Sequence, residues 1–155
     1  MKKNTIILVL IFHFIYIHAG YSQIMKPAKF TFTSNKTTPK IGETLTLIFT
    51  ATIEKEWKLY ATDNSLNPGP IPIEASFTQN DAFELVGKLQ AIKPQKHFDD
   101  YWKGNVSYFI GTAKFTQKVK IKKLKAVIEG KIKYQTCTLK DGSCVIGKDK
   151  FSYSF

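Results

Sequence analysis

Two cysteines are the residues here whose type and spacing most clearly suggest chemistry. Cys137 and Cys144 lie in the run Tyr134-Gln135-Thr136-Cys137-Thr138-Leu139-Lys140-Asp141-Gly142-Ser143-Cys144, with six residues between them. Asp141-Gly142 is a strong turn signal, so a strand entering Cys137 and another leaving Cys144 would form a hairpin-like reversal. A cross-strand pair can supply the Cα separation of roughly 4.4–6.8 Å that a disulfide needs. Such a bridge could be a staple or a tool. As a staple, the chain-entropy model gives a loop of about eight residues roughly 2.5 kcal/mol, and joining distant strands would gain more. As a tool, a close pair on an exposed turn can be reached by another protein's thiolate, which is the condition for exchange. The residues alone leave both readings open.

Other chemistries find little support. His97 is the one His after residue 22, so a zinc site would need carboxylates to complete its ligand set, and no metal is expected. There is no glycine-rich phosphate cradle or GxSxG elbow, and nothing marks a Ser–His–Asp triad. Asp99-Asp100 is a pair of carboxylates, but neighbours on a strand point to opposite faces. That suits them poorly to joint acid–base work on a glycoside.

The elements that must position the cysteines read as strands. From Thr44 to Ile53 the apolar residues Leu45, Leu47, Phe49, Ala51 and Ile53 take every second position, the period of a strand buried on one face. The same alternation recurs in Phe30 to Thr33, Phe115 to Ile121 and Ile128 to Tyr134. Shorter runs lie at Trp57 to Ala61, Ile73 to Phe77, Phe83 to Gln90, Ser107 to Ile110 and Phe151 to Phe155. Turn signals fall between them at Pro39 to Gly42, Asn67 to Pro70, Lys103 to Asn105 and Asp141-Gly142. No window carries a helical stripe. Eight or nine short strands with no linker or repeat predict one all-β domain, an immunoglobulin-like antiparallel β-sandwich, over residues 23–155. The 155 residues suffice for one core, and the 14% aromatic content excludes disorder.

The first 22 residues read as a cleavable signal peptide. Lys2 and Lys3 precede an apolar run from Ile6 to Ile17, and Gly20-Tyr21-Ser22 offers the small-x-small spacing of a cleavage site, leaving Gln23 first. An uncleaved anchor is the competing reading, but a run of about 12 to 14 residues is short for the hydrocarbon core. No Cys near the junction suggests lipid attachment. An exported chain meets an oxidising compartment, which favours the bridge. Losing Lys2 and Lys3 from a formal charge of +11 leaves +9, all of the basic residues being Lys. Export, the lack of the bidentate Arg reader, and the alternation of Lys118, Lys120 and Lys122 with apolar residues all argue for a solvated strand face and against nucleic acid.

Several stretches together resemble a known family. Trp57-Lys58-Leu59-Tyr60-Ala61, Gly69 to Phe77, Phe83 to Leu89, Phe98-Asp99-Asp100-Tyr101-Trp102-Lys103-Gly104, Phe115 to Val119 and the Tyr-x-x-Cys opening of the cysteine segment are similar, in order and spacing, to the N-terminal periplasmic domain of the bacterial thiol:disulfide interchange protein DsbD. The likeness spans residues 25–155. It implies an immunoglobulin-like fold, a redox pair Cys137 and Cys144 with Cys144 forming mixed disulfides, and a cap loop in which Tyr101 and Trp102 cover the sulfurs. It also implies Asp99 and Asp100 near the thiols and Tyr60 lining the pocket. Carboxylates so placed would disfavour a thiolate, raising the thiols above their usual value of about 8.5. The implied chain is a monomer without cofactor, carrying electrons from a thioredoxin-like or membrane donor to periplasmic disulfide-containing acceptors. The full family protein adds an eight-helix membrane domain and a thioredoxin-like domain, neither of which is in this sequence, so reducing power is expected in trans. The cysteine spacing is longer than the family's usual four or five residues, and Val145-Ile146-Gly147 stands where Pro is common. The alternative is a non-catalytic immunoglobulin-like binding module with a structural disulfide.

Overall fold

The computed structural model describes residues 25–125 and 127–155; the expected signal peptide, residues 1–22, lies outside them. The described residues contain ten strands: β1 (Ala28–Ser34), β2 (Thr44–Ile53), β3 (Trp57–Tyr60), β4 (Glu74–Phe77), β5 (Phe83–Ala91), β6 (Gln95–Asp99), β7 (Gly104–Ile110), β8 (Thr112–Ile121), β9 (Val127–Thr138) and β10 (Cys144–Ser154). They form a four-stranded sheet in the order β1-β2-β8-β5 and a six-stranded sheet in the order β10-β9-β3-β7-β6, with β4 also paired to β9. Every pairing is antiparallel. The expected sandwich is the architecture found.

Alternation explains the packing. On β2, Leu45, Leu47, Phe49, Ala51 and Ile53 are buried, and on β8 Ala113, Phe115, Val119 and Ile121 are. They face Leu59, Phe109, Ile128, Ile132, Tyr134 and Phe151 of the larger sheet in one continuous core. Burying each large side chain contributes about 1.5–3 kcal/mol. Phe151 lies 5.1 Å from both Phe49 and Phe77, near-perpendicular to each, a geometry aromatic quadrupoles favour.

Two strands exceed or escape the sequence pattern. The short run read at Phe151 to Phe155 is the end of β10, which starts at Cys144 and keeps register with β9 for its whole length. Its first half hides behind Gly147 and three charged residues. Gly147 is there because the Tyr134 ring of β9 lies across it: a Cβ would overlap the ring atoms. The Tyr134 hydroxyl sits 3.2 Å from the Ala28 carbonyl oxygen and 3.1 Å from Asp149 Oδ2, and burial, then the Asp149 carboxylate, push its ionisation well above the usual tyrosine range. β6, the sequence Gln-Lys-His-Phe-Asp, has no alternation to read; its backbone partner β7 makes it a strand. The turn signal at Lys103 to Asn105 is displaced, the turn being Asp100 to Lys103 and Gly104 the first residue of β7.

The Gly147 contact yields a test. Gly147→Ala forces a methyl into the Tyr134 ring and is expected to cost about 2 kcal/mol, by the overpacking rule. Urea unfolding followed by tryptophan fluorescence reads the loss, and an unchanged midpoint would contradict the contact.

Candidate functional site

The β9–β10 hairpin sets the two cysteines opposite one another, Cys137 facing Cys144 in register. The turn between them is built by its own side chains. The Thr138 hydroxyl donates to Asp141 Oδ1 at 3.0 Å and accepts from the amides of Lys140 and Asp141, while Asp141 Oδ1 also accepts from the Ser143 amide at 2.9 Å. Those bonds, the Ser143 amide foremost, hold the Asp141 carboxyl below its usual range. Gly142 takes the left-handed φ of 73° that closes the turn. The Thr138 amide donates to the Ser143 carbonyl, so the next pair, Cys137 and Cys144, occupies the non-hydrogen-bonded place where facing Cα atoms come closest. Their Cα atoms are 4.1 Å apart and the sulfurs are bonded.

The two sulfurs differ in environment. Cys137 is 1% exposed, whereas Cys144 is exposed on an edge strand. Cys137 belongs to a small apolar cluster with Tyr60 and Val106, against which Leu66, Trp102 and Tyr108 pack. This cluster is separate from the inter-sheet core. Register explains why: on β3, Leu59 turns to the core, so Lys58 and Tyr60 turn outward, and Lys58 faces Cys137 while Tyr60 faces Tyr108.

Three polar devices fix the cluster. Gln135, two residues before Cys137 on the same strand face and itself buried, holds its Nε2 3.6 Å from Cys137 Sγ and accepts the Ile71 amide at 2.6 Å. Asn64 clasps the backbone of Ser107 from both sides, at 2.7 and 2.8 Å, which sets nearby Leu66 against Gly104, where a Cβ would come within 2.7 Å of a Leu66 methyl. Asp99 organises the β6–β7 turn. Its Oδ1 accepts the amides of Tyr101 and Trp102 at 3.0 and 3.2 Å, and its Oδ2 pairs with Lys58 Nζ at 2.8 Å. Trp102 then donates its indole N–H to the Tyr60 hydroxyl at 3.0 Å.

The Lys58–Asp99 pair is largely withdrawn from water, its side chains 15% and 13% exposed. Burial by itself would lower the Lys58 ammonium, but the Asp99 hydrogen bond and the neighbouring Tyr60 outweigh it and hold the group above the usual lysine range. Burial would likewise raise Asp99, and the Lys58 hydrogen bond and the two turn amides outweigh it and hold the carboxyl low. The Lys58 ammonium also lies 5.3 and 5.5 Å from the ring centres of Tyr60 and Tyr108, a further attraction for a cation.

The sequence-derived residues therefore divide. Cys137, Cys144, Tyr60 and Trp102 come together, and Asp99 sits behind Trp102 as the anchor of its turn. Tyr101 points away, 81% exposed, its ring edge-on to Trp102 at 4.8 Å. Asp100 is exposed. Asp99 and Asp100 were expected near the thiols; Asp99 is paired with the Lys58 ammonium, and the charged residue directly across the strand from Cys137 is Lys58. Lys58, Gln135, Asn64 and Leu66 had escaped the sequence reading. The signal for the first two was present, since alternation puts Lys58 on the face of Tyr60 and Gln135 on that of Cys137.

No curated protein sequence matches the chain. Among solved structures it is similar to the Neisseria meningitidis DsbD N-terminal domain in the reduced form, with a TM-score of 0.51 and 16% identity over 74% of this chain and 78% of that one. That likeness is one of fold. Residues 23–154 match the family described as thiol:disulfide interchange protein DsbD, N-terminal. The chain belongs to the family of DsbD N-terminal domains, and it is a thiol–disulfide interchange domain.

Proposed function

We propose that the chain works in the periplasm as an electron relay through Cys137 and Cys144, taking reducing equivalents from a thioredoxin-like or membrane donor and passing them to disulfide-containing acceptors. The observation that carries this is the unequal exposure of two sulfurs joined in one bridge: Cys137 at 1% and Cys144 open to solvent. A donor thiolate can reach Cys144 Sγ. Its attack forms a donor–Cys144 bond and breaks the Cys137–Cys144 bond, the electron pair leaving on Cys137 Sγ. The Gln135 N–H stands ready to stabilise that thiolate. The donor's second thiolate then displaces Cys144, so the donor leaves oxidised and the domain as a dithiol. Downstream, the Cys144 thiolate attacks an acceptor disulfide, and Cys137 resolves the mixed disulfide, restoring the bridge. Thiolates, sulfurs and protons balance without metal, flavin or nucleotide.

The hairpin argues against a mere staple. Cys137–Cys144 is the outermost of eleven facing pairs between β9 and β10, so the strands are aligned without it. Replacing both cysteines by Ser is expected to cost no more than about 2.5 kcal/mol in urea unfolding, and a much larger loss would favour the structural-disulfide reading. In a glutathione buffer poised near thioredoxin's potential of about −270 mV, alkylation and mass spectrometry should find the bridge reduced in a substantial fraction of molecules. A bridge still wholly oxidised there would end the relay reading. In Cys137→Ser the lone Cys144 thiolate should attack the disulfide form of a thioredoxin-like donor and hold it as a mixed disulfide, one donor thiol being released, at least about tenfold more than buried Cys137 does in Cys144→Ser.

Shielding by the β6–β7 turn gives a further expectation. Asp99→Asn loses the charge that binds Lys58 and weakens the turn, costing about 1–2 kcal/mol at pH 7 by the usual worth of hydrogen bonds to charged groups. Because the folded carboxyl is held low, its contribution is present above the unfolded value of about 4 and is lost as pH falls through the lower folded value. The gap between variant and parent in urea midpoint should therefore narrow as pH falls below about 4. Reduction by dithiothreitol at pH 7 should be several-fold faster in Asp99→Asn and in Trp102→Ala than in the parent; equal rates would remove the cap role.

A further inference from the structure

The β9–β10 ladder carries a second feature on the face that bears the disulfide. Running down that face from Cys137–Cys144, the facing pairs are Gln135–Ile146, Lys133–Lys148 and Lys131–Lys150. All four lysines are exposed, and none makes an ion pair among the described residues. Like charges directly opposite on a strand pair destabilise the sheet. Elsewhere the protein avoids this arrangement. On β8, Lys114 faces Thr50, Lys118 faces Thr46, and Lys120 faces Thr44 and Glu84. No other strand pair among the described residues sets two cations opposite one another. The nearest acidic residues on this face are Glu74 of β4, across from Lys133, and Glu129, two residues before Lys131 and facing Ser152, and two carboxylates do not balance four ammonium groups.

We infer that the Lys131, Lys133, Lys148 and Lys150 block is a docking surface for an acidic face of the protein that exchanges thiols with Cys144. This rests on the relay reading and deepens it by stating the charge of the partner. Same-face residues on a strand are roughly 7 Å apart, so the nearer lysine row lies about 14 Å from the disulfide and the farther about 20 Å. A protein footprint of about 800 Å² is some 30 Å across. Centred on Cys144, it extends about 15 Å and covers the nearer row, and the farther row lies just beyond its edge, within about a Debye length of it. Ile146, 53% exposed, fills the interval between sulfur and lysines, giving an apolar centre with a charged flank, the layout in which charge sets approach and selection. Anionic lipid is the other polyanion in reach, but it holds no disulfide, whereas the lysine block is aligned with one.

The oxidised full chain is mixed with either of two short peptides, one carrying a single Cys flanked by Glu and the other the same Cys flanked by Gln. The second-order rate of bridge reduction, expressed per thiolate, is followed by acid quench and alkylation. At low salt the Glu peptide should react at least fivefold faster than the Gln peptide, and the ratio should fall towards one in about 1 M salt as screening sets in. The Lys131→Gln, Lys133→Gln, Lys148→Gln, Lys150→Gln combination should bring the low-salt ratio near one, while Lys118→Gln with Lys120→Gln on the other sheet should retain it. A wild-type ratio of one at low salt with the bridge being reduced overturns this inference and leaves the relay intact. Equal loss of the ratio in both variants also overturns it. So does tight binding to phosphatidylglycerol vesicles, abolished by the four-Lys combination, with no peptide preference. A bridge that neither peptide nor dithiothreitol reduces removes the relay reading and this inference together.

Discussion

The register between β9 and β10 is the constraint on which the rest depends. Strand side chains alternate with a period of two, so one pairing decides which residues of each strand face the core and which face outward. With Cys137 opposite Cys144, Tyr134 and Ile132 turn inward with Phe151, and Gln135, the cysteines and the lysines turn outward. A slip by one residue would bury lysines between the sheets and expose Tyr134. The apolar face therefore guards the alignment of the sulfurs, with the bridge itself contributing little to it.

Stability and chemistry consequently sit on opposite sides of one sheet. The inter-sheet core holds the large aromatics and aliphatics in a close-packed layer, where altering volume is costly. The cluster around Cys137 is small, built from the outward residues of β3, β7 and β9 together with two loops. It can rearrange without disturbing the core behind it. Its charge is balanced internally, because Lys58 and Asp99 neutralise each other beneath the aromatic rings. An unpaired buried charge would be far more expensive. In the proposed relay the pair fixes the turn, and Gln135 takes the role next to the leaving sulfur.

Most of the sandwich was legible because it obeys alternation: β2 runs over the residues from Thr44 to Ile53 in which the pattern is plainest. What escaped did so for physical reasons. β6 has no buried face of its own, its residues being exposed or half-buried, so no hydrophobic period exists to read. β10 carries Gly147, a residue disfavoured in strands, because a ring from the neighbouring strand occupies the space of its side chain. The cysteine pairing was legible from the turn chemistry of Asp141-Gly142. The polar support was not, since Gln135 and Asn64 act through backbone groups of Ile71 and Ser107, far away in sequence. Likewise the opposition of Lys133 to Lys148 appears only once the register is known.

The geometry also bounds how readily the turn over Cys137 could open. Asp99 is the last residue of β6 and remains paired with Gly104, so Lys58 keeps its partner when residues 100–103 move. That movement takes the Tyr101 and Trp102 amides off Asp99 and the indole off the Tyr60 hydroxyl, and exposes more of a ring that is only partly in solvent. At about 1–2 kcal/mol for each of the three hydrogen bonds and a similar amount for the ring, the opening costs on the order of 6 kcal/mol. Each 1.4 kcal/mol is a factor of ten, so an opening of that cost leaves fewer than about one molecule in ten thousand open at a given moment. In the proposed relay such rarity keeps Cys137 covered while Cys144 stays open to attack, and a docked protein would offset part of the cost by giving the displaced indole a new apolar surface. A heavier lock, with Asp99 itself in the moving segment, would add the separation of a nearly buried ion pair. By leaving that pair in place, the fold confines the cost of opening to the turn, its hydrogen bonds and the Trp102 ring.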